Sequence, residues 1–347
     1  MSGGGLDDGR TGADDAGGPD EAAAPYARLG PETVLAAVES AGYSCDGHLL
    51  ALNSYENRVY QVGIEDAPPL VVKFYRPGRW SDAQILEEHH YTLELAEREI
   101  PVVAPLVDGE GRTLLCHGPF RFALYPRRGG RAPDLEDPGQ LEQCGRFLGR
   151  IHAYGAVRPF EHRPELSVEQ FGVESYRYLL EHGFIPRGLE AAYRTLAEDL
   201  IARVRACYER AGTPARLRLH GDCHPGNILW TDEGPHIVDF DDARTGPAIQ
   251  DLWMFLSGDR AFMTARLADL LEGYTQFQSF DPRELHLIEA LRTLRMLHYA
   301  AWIARRWGDP AFPRAFPWFA GGRYWDEHIL SLREQAALMD EPPLVWS

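Results

Sequence analysis

Acidic and amide side chains are spaced for catalysis in the stretch 219–253. Asp222 comes first, Asn227 follows it five residues later, and a turn then leads into the apolar strand 236–238, which ends on Asp239. One carboxylate can orient an attacking hydroxyl group and accept its proton. A second carboxylate and an amide oxygen can hold a hard divalent cation, which prefers oxygen ligands. We therefore expect a loop to place Asp222 beside Asn227, and a hairpin to return Asp239 to the same point.

The order of these residues resembles the catalytic string of protein kinases, in which an acid, an asparagine and an acid after a strand follow one another. Phosphoryl transfer requires positioning and charge neutralisation more than covalent chemistry. On this interpretation Asp222 and Asp239 are catalytic: Asp222 accepts the hydroxyl proton, while Asn227 and Asp239 hold Mg²⁺ against the phosphates of ATP. The alternative is an ordinary β-hairpin with solvated acids at its ends. The full string, with an apolar run before each acid, favours catalysis.

A lysine inside a β-branched run is the next element of this pattern. Lys73 lies in the run 70–74, which is typical of the strand lysine that pairs with the α- and β-phosphates of ATP. The alternative is a strand lysine that faces the solvent. A kinase also needs a glutamate from the following helix to orient this lysine. Glu87 and Glu88 both qualify by their distance along the chain, and we narrowly prefer Glu88.

The loop that would cover the phosphates is unusual. Residues 53–57 lie between two predicted short strands and contain no glycine. Asn and Ser still tolerate tight turns and offer amide or hydroxyl donors to a phosphate. Ser54 is therefore a candidate nucleotide contact, on its position more than on its chemistry.

The distribution of strands and helices predicts an α+β, two-lobed protein-kinase-like fold. Residues 1–25 form an acidic, Gly-rich tail that cannot bury enough surface to offset chain entropy, so we expect disorder there. Residues 26–126 carry the strand signals and are predicted to form a small, β-rich, nucleotide-binding N-terminal lobe. Residues 127–347 carry helical periodicity and are predicted to form a large, α-helical, catalytic and substrate-binding C-terminal lobe. Adenine is expected to bind the backbone of residues 124–126 at the hinge.

Several residues outside the string have supporting or structural interpretations. Asp251 is expected to open a helix over residues 251–255 and to brace the catalytic loop through backbone amides. His152 follows an apolar helical face and is better explained as a hydrogen-bonded core histidine. His89 and His90 lie on a charged helix face, where we expect exposure to solvent.

Composition and charge exclude several classes of partner. The 347 residues carry a formal net charge of −17, which disfavours nucleic acid and anionic membranes as partners. No apolar run approaches the roughly 18 residues of a membrane span, and the N-terminus lacks a signal-peptide pattern, so we expect a cytoplasmic protein.

The five scattered cysteines form no C-x-x-C pair, which argues against a disulfide framework and a zinc site. Cys223, inside the catalytic loop, is predicted to be a small space-filling residue.

Longer strings carry a closer resemblance, which covers about residues 31–343. The chain resembles the bacterial stress response kinase A family, within the wider aminoglycoside phosphotransferase and choline kinase-like group, in the strings LNSYENRVYQV, VVKFYRPGRW, QILEEH, LHGDCHPGNILW, DFDDARTGPAIQDLWM and DPAFPRAFPW. This resemblance implies a monomeric kinase that uses ATP and Mg²⁺ to phosphorylate serine or threonine in proteins during stress. We also expect it to phosphorylate its own chain. Carried over by position, it assigns the same roles to Asp222, Asn227 and Asp239, and a nucleotide contact to Ser54 and Lys73.

The residues alone leave the class of substrate open. Only a short segment separates Asp239 from Asp251, without room for the long activation loop on which conventional protein kinases dock peptides. A phosphotransferase that acts on an amino alcohol or a sugar is therefore a second interpretation. A pseudokinase that serves as a scaffold is a third, although Lys73, Asp222 and Asn227 are all present. The family resemblance favours a protein substrate.

Overall fold

The N-terminal part of the chain is built on one antiparallel sheet with the strand order β1-β2-β3-β5-β4. The structure is a computed structural model that describes residues 26–346, so the tail predicted to be disordered, residues 1–25, lies outside the described residues. The strands are β1 (Cys45–Ala51), β2 (Arg58–Ile64), β3 (Ala67–Phe74), β4 (Leu115–His117) and β5 (Phe120–Pro126). Two helices accompany them, α1 (Pro31–Ser40) and α2 (Asp82–Ala96).

Local sequence signals account for the two helices. α1 begins with Pro31, whose fixed φ suits the first helical turn. Before α2, the Ser81 hydroxyl accepts the backbone N–H of Gln84, and the Gln84 side chain accepts the N–H of Ser81. This capping box satisfies two amides that helix geometry leaves unpaired. The sheet and α1 share a buried apolar core that includes Val38 and Phe122.

The C-terminal part is helical. Its helices are α3 (Pro138–Gly155), α4 (Glu174–Glu181), α5 (Glu190–Ala211), α6 (Arg260–Tyr274), α7 (Ile288–Arg305), α8 (Ala311–Ala315) and α9 (Gly322–Asp340). Gly145 lets α3 approach α6, since a Cβ there would lie 2.0 Å from the carbonyl oxygen of Leu270. The apolar faces form two buried clusters, one around Leu148 and one around Leu200. No helix within residues 26–346 is long and apolar enough to cross a membrane.

Two short antiparallel ribbons carry the candidate catalytic residues. The first pairs β6 (Leu217–Leu219) with β9 (Arg244–Gly246), and the second pairs β7 (Ile228–Thr231) with β8 (Gly234–Ile237). The N–H of Val103 donates to the carbonyl of Ile237 at 2.9 Å. The hairpin that ends at the predicted metal ligand is therefore attached to the segment that follows α2.

The sequence predicts the type of most elements but not all of them. The α+β architecture agrees with the prediction, and β5 ends at Pro126, although a lobe boundary at that residue stays a prediction. The helix predicted over residues 251–255 is wrong. Two short 3₁₀ turns, Ala248–Asp251 and Trp253–Phe255, occupy this region. Such turns serve as connectors, and here they aim the Asp251 side chain at the neighbouring loop.

Candidate active site

The catalytic loop, residues 220–227, is held by a buried acid. Asp251 Oδ2 accepts the N–H of His220 and Oδ1 accepts the N–H of Gly221, each at 2.8 Å. Gly221 has a φ of 87°, and a Cβ there would lie 2.1 Å from the carbonyl oxygen of Asp242. Glycine is therefore required for this turn. The prediction that Asp251 braces the loop through backbone amides is confirmed.

His152 behind the loop and His89 on α2 are buried histidines with hydrogen-bond partners and not catalytic residues. Nε2 of His152 lies 3.0 Å from Asp251, and Nδ1 lies 3.0 Å from the hydroxyl of Tyr274. Burial raises the pKa of Asp251, but the hydrogen bond and charge of His152 hold it below its ordinary value. The interpretation of His152 as a core histidine is thus confirmed. The expected exposure of His89 is wrong, because its side of α2 faces the sheet and its ring bonds to tyrosine and threonine hydroxyls, whereas His90 is exposed.

Hydrogen bonds bring Asn227 beside Asp222, as the spacing predicts. Nδ2 of Asn227 donates to the carbonyl oxygen of Asp222 at 3.0 Å, so the amide oxygen points away from that carbonyl. The N–H of Val238 donates to the carbonyl of Asn227 at 3.0 Å, which fixes the residue before Asp239 against the loop. Nε2 of His220 lies 2.8 Å from the carbonyl oxygen of Val238. The loop and the hairpin are joined here, although the chemical roles of their acids stay predictions.

Asp239 ends the hairpin with a φ of 61°, which is uncommon for a residue other than glycine. Its Oδ1 lies 2.9 Å from Nζ of Lys73, and its side chain is 54% exposed. Lys73 also lies 3.2 Å from Oδ1 of Asp241. Burial lowers the pKa of Lys73, but these two carboxylates hold it well above its ordinary value. The strand lysine therefore points, as a cation, into the space between the sheet and the end of the hairpin at Asp239, which we call the cleft, and it does not face the solvent.

The two candidate glutamates of α2 lie in different surroundings. Glu87 accepts the backbone N–H groups of residues 161–163, so it anchors that segment. Glu88 is 3% exposed, and burial raises its pKa to about 7 although the Lys73 charge opposes this. Because Lys73 contacts two aspartates in this structure, a pairing of Glu88 with Lys73 stays a prediction.

The loop between β1 and β2 reaches across to the C-terminal helices. The Ser54 hydroxyl donates to the carbonyl of Asn57 at 3.2 Å and closes the turn. Glu56 accepts the indole N–H of Trp302 at 2.6 Å and lies 2.6 Å from Nε of Arg306. The loop is thus fixed over the cleft by α7. A nucleotide contact by Ser54 stays a prediction.

The sequence patterns do not predict a buried cluster of charged side chains beside Lys73. Arg79 contacts Asp241, and its Nη2 lies 2.9 Å from Oδ1 of Asp242. Nη2 of Arg244 lies 2.8 Å from the same oxygen. Burial raises the pKa of both acids, but the guanidinium of Arg79 and its neighbours hold both pKa values below the ordinary range. The string D-F-D-D could have indicated this cluster, because acids placed directly after a buried strand require cations nearby.

Arg295 of α7 makes a second contact that the spacing does not reveal. Its Nη1 lies 2.5 Å from Oδ1 of Asp222, from which it is separated by 73 residues in the chain. Nε2 of His224 lies 3.8 Å from the other oxygen of Asp222. The candidate base is therefore paired with a guanidinium supplied by the chain itself.

The chemistry of the oxygen donors at the cleft fits magnesium. Asn227 offers an amide oxygen and Asp239 a partly exposed carboxylate. In the part of the chain that the structure describes, no group of three or more His, Cys, Asp or Glu side chains forms a metal site. Magnesium is commonly held by one or two protein carboxylates, with the remaining positions taken by substrate phosphates and water.

Comparison with known proteins decides the family. The model of the phosphotransferase enzyme family matches residues 48–288. The chain belongs to this family. Stress response kinase A of Escherichia coli (strain K12) is 47% identical over 319 residues, which are 92% of this chain and 96% of that protein. Serine/threonine protein kinase RdoA of Salmonella typhimurium (strain LT2) is also 47% identical, with the same shares covered. The resemblance that the sequence strings predict is confirmed.

Solved phosphotransferase structures share the fold. Amicoumacin kinase hAmiN, in complex with AMP-PNP, Ca²⁺ and Ami, has a TM-score of 0.69 at 19% identity, covering 90% of this chain and 94% of that one. A microcompartment-associated aminopropanol kinase has a TM-score of 0.66 at 18% identity, covering 86% of this chain and 99% of that one. With the sheet and helices described above, these likenesses confirm the α+β, two-lobed kinase-like fold.

Proposed function

We propose that this chain is an ATP- and Mg²⁺-dependent kinase that phosphorylates serine and threonine hydroxyls of proteins, its own chain included, in a stress response. The observation that carries the proposal is the match to relatives named stress response kinase A and serine/threonine protein kinase RdoA. They are 46–48% identical over 92% of the chain. The geometry of Asp222, Asn227, Asp239 and Lys73 supports phosphoryl transfer at this site. A cytoplasmic location and a monomeric state stay predictions.

Asp222 serves in this proposal as the proton acceptor. The acceptor hydroxyl gives its proton to the Asp222 carboxylate while its oxygen bonds to the γ-phosphorus of ATP. The bond from that phosphorus to the β–γ bridging oxygen breaks, and ADP leaves. The loop that carries Asp222 is fixed by Asp251 through two backbone amides. This positioning is the protein's main contribution to such a reaction.

Residues on the other side of the cleft bind the nucleotide. Lys73 lies at the cleft as a cation and is suited to the α- and β-phosphates. Asn227 and Asp239 would hold magnesium, which neutralises phosphate oxygens when it is bound. The backbone of residues 124–126 remains the predicted contact for adenine.

A labelled-ATP assay with purified protein tests the proposal. We expect phosphate on serine or threonine of generic protein substrates and of the chain itself, identified by mass spectrometry. Asp222→Asn should reduce the rate of this transfer by on the order of 10²–10⁴-fold. A protein that neither transfers phosphate nor hydrolyses Mg²⁺-ATP would instead support the pseudokinase interpretation.

A small-molecule phosphotransferase is the second candidate function. The segment between Asp239 and Asp251 folds into 3₁₀ turns and the three-residue strand β9, which leaves no long loop for a peptide to dock on. One of the structural neighbours is an aminopropanol kinase. Efficient turnover of an amino alcohol or a sugar, without any phosphoprotein, would favour this candidate over the first.

A further inference from the structure

The ion pair between Arg295 and Asp222 is partly exposed to solvent. The Arg295 side chain is 43% exposed, and that of Asp222 is 26% exposed. The guanidinium is therefore placed where an incoming acceptor would approach the base, and it occupies one of the two oxygens of that carboxylate. A partly exposed pair of this kind contributes little to folding, so stability is a weak explanation for it.

The charge beside the base determines which acceptors fit. In a small amino alcohol the ammonium group is only two or three bonds from the hydroxyl carbon. When the hydroxyl reaches Asp222, the ammonium group must therefore lie near Arg295, and the two cations repel each other. Arg244 lies close behind the loop, its Nε being 3.2 Å from the Cβ position of Gly221. An acceptor with a negative group beside its hydroxyl meets attraction at the same place.

Aromatic side chains extend this surface away from Arg295. Tyr299, one helical turn further along α7, is 42% exposed, and Tyr55 and Trp318 are 39% and 44% exposed. Phe316 joins them, with ring centroids 5.0 Å from Tyr55, 6.5 Å from Tyr299 and 5.8 Å from Trp318. Rigid aromatic groups of this size are frequent energetic centres where proteins bind polypeptides.

We propose that Arg295, Tyr299, Tyr55 and Trp318 form an acceptor surface for a polypeptide that carries Asp or Glu close to its serine or threonine. The acidic side chain of the acceptor binds the Arg295 guanidinium, and this releases the Asp222 oxygen for the hydroxyl proton. Arg295 is then a specificity-determining residue. This inference rests on the proposed protein kinase function and names the class of its substrates.

The spacing within the acceptor follows from strand geometry. Side chains two residues apart in an extended segment lie on the same side, roughly 7 Å from each other. Since Arg295 contacts the carboxylate that the hydroxyl must reach, an acid two residues from the serine fits this distance. The aromatic part of the surface then packs against the rest of the segment.

Three peptides that differ at one position test the inference. Each contains a single serine, with Asp, Asn or Lys two residues away, and kcat/KM is measured for wild type, Arg295→Gln and Arg295→Glu. Wild type should prefer the Asp peptide to the Lys peptide by about tenfold, the factor that corresponds to one charge-assisted contact. Arg295→Gln should reduce this preference to about twofold or less, and Arg295→Glu should reverse it.

Arg323→Gln is the matched control, because this arginine is 90% exposed on α9 and pairs with Glu327 one helical turn away. It removes the same charge and should keep the preference for the Asp peptide. The inference would be overturned if wild type phosphorylated all three peptides equally well, or if Arg295→Gln lost the same activity on all three. In either case the formation of phosphoprotein would still support the proposed kinase function. Turnover of amino alcohols with no phosphoprotein would overturn both.

Discussion

Glu88 provides a test of how Lys73, the candidate nucleotide-binding lysine, is held. Burial raises its pKa from 4.5 to about 7. The folded protein therefore binds the proton of Glu88 more tightly than the unfolded chain does. The stability that this proton contributes is complete below about pH 4.5 and is lost as the pH rises to about 7. At about 1.4 kcal/mol for each pKa unit, the loss amounts to about 3 kcal/mol.

Glu88→Gln replaces the carboxyl group by an amide that has a similar size and stays uncharged. The unfolding free energy of the variant minus that of wild type should therefore rise by about 3 kcal/mol from about pH 4.5 to pH 8. The buried histidines also make stability depend on pH in part of this range, because they bind protons near pH 6.5 in the unfolded chain, whereas burial lowers the pKa of His298 to about 3 and that of His328 to about 4 in the folded protein. They are present in both proteins, so the difference between the two proteins isolates Glu88. Urea denaturation followed by tryptophan fluorescence at a series of pH values measures this difference.

Glu284 supplies the control for this experiment. Its carboxylate accepts the N–H of Ile249 at 2.9 Å, and burial raises its pKa to about 7 as well. Glu284→Gln should show a similar dependence on pH at a site remote from Lys73. A difference for Glu88→Gln that stays flat with pH, while Glu284→Gln shows the rise, would refute the reasoning. It would mean that Glu88 is ionised in solution and paired with Lys73.

The remaining predictions concern the cleft. Asp222→Asn should keep Mg²⁺-ATP binding but lose on the order of 10²–10⁴ in transfer rate, the usual size of a general-base contribution. Asp239→Asn should instead lose Mg²⁺-dependent nucleotide affinity. Equal Mg²⁺-ATP binding by both variants in calorimetry would contradict this division of roles. Lys73→Ala should weaken ATP binding, and its loss should be non-additive with that of Glu88→Gln if the two residues act as a pair. Cys223→Ser should keep both activity and peroxide sensitivity, because burial raises the thiol pKa well above its ordinary value; a loss of peroxide sensitivity in that variant would instead indicate a redox sensor.

Much of the local structure could be predicted because it depends on neighbours in the chain. The capping box at Ser81 and the hairpin before Asp239 are set within a few residues. The bracing role of Asp251 could be inferred from its place after the catalytic string. The capping box and the hairpin follow from short-range geometry, whereas the contact of Asp251 with His220 spans 31 residues and could be predicted only from the kinase-like order of the motifs.

Contacts between distant parts of the chain could not be predicted in the same way. Glu56 lies in a loop near the N-terminus, yet it bonds to Trp302 and Arg306 at the end of α7. The burial of His89 likewise depends on which side of α2 faces the sheet. Polar residues that form tertiary contacts have the same local pattern as solvated ones, so spacing alone does not distinguish them.

The charge of the whole chain and the charge at its cleft lead to opposite expectations. A net charge of −17 would favour a cationic ligand if it were spread evenly. Instead, the acids after the hairpin are neutralised in place by Lys73, Arg79 and Arg244, and the candidate base Asp222 is paired with Arg295. Electrostatic interactions fall off within roughly 10 Å at ordinary ionic strength. If Asp222 is the proton acceptor that we propose, its immediate neighbours, and not the distant surface acids, therefore determine which hydroxyl group it accepts a proton from.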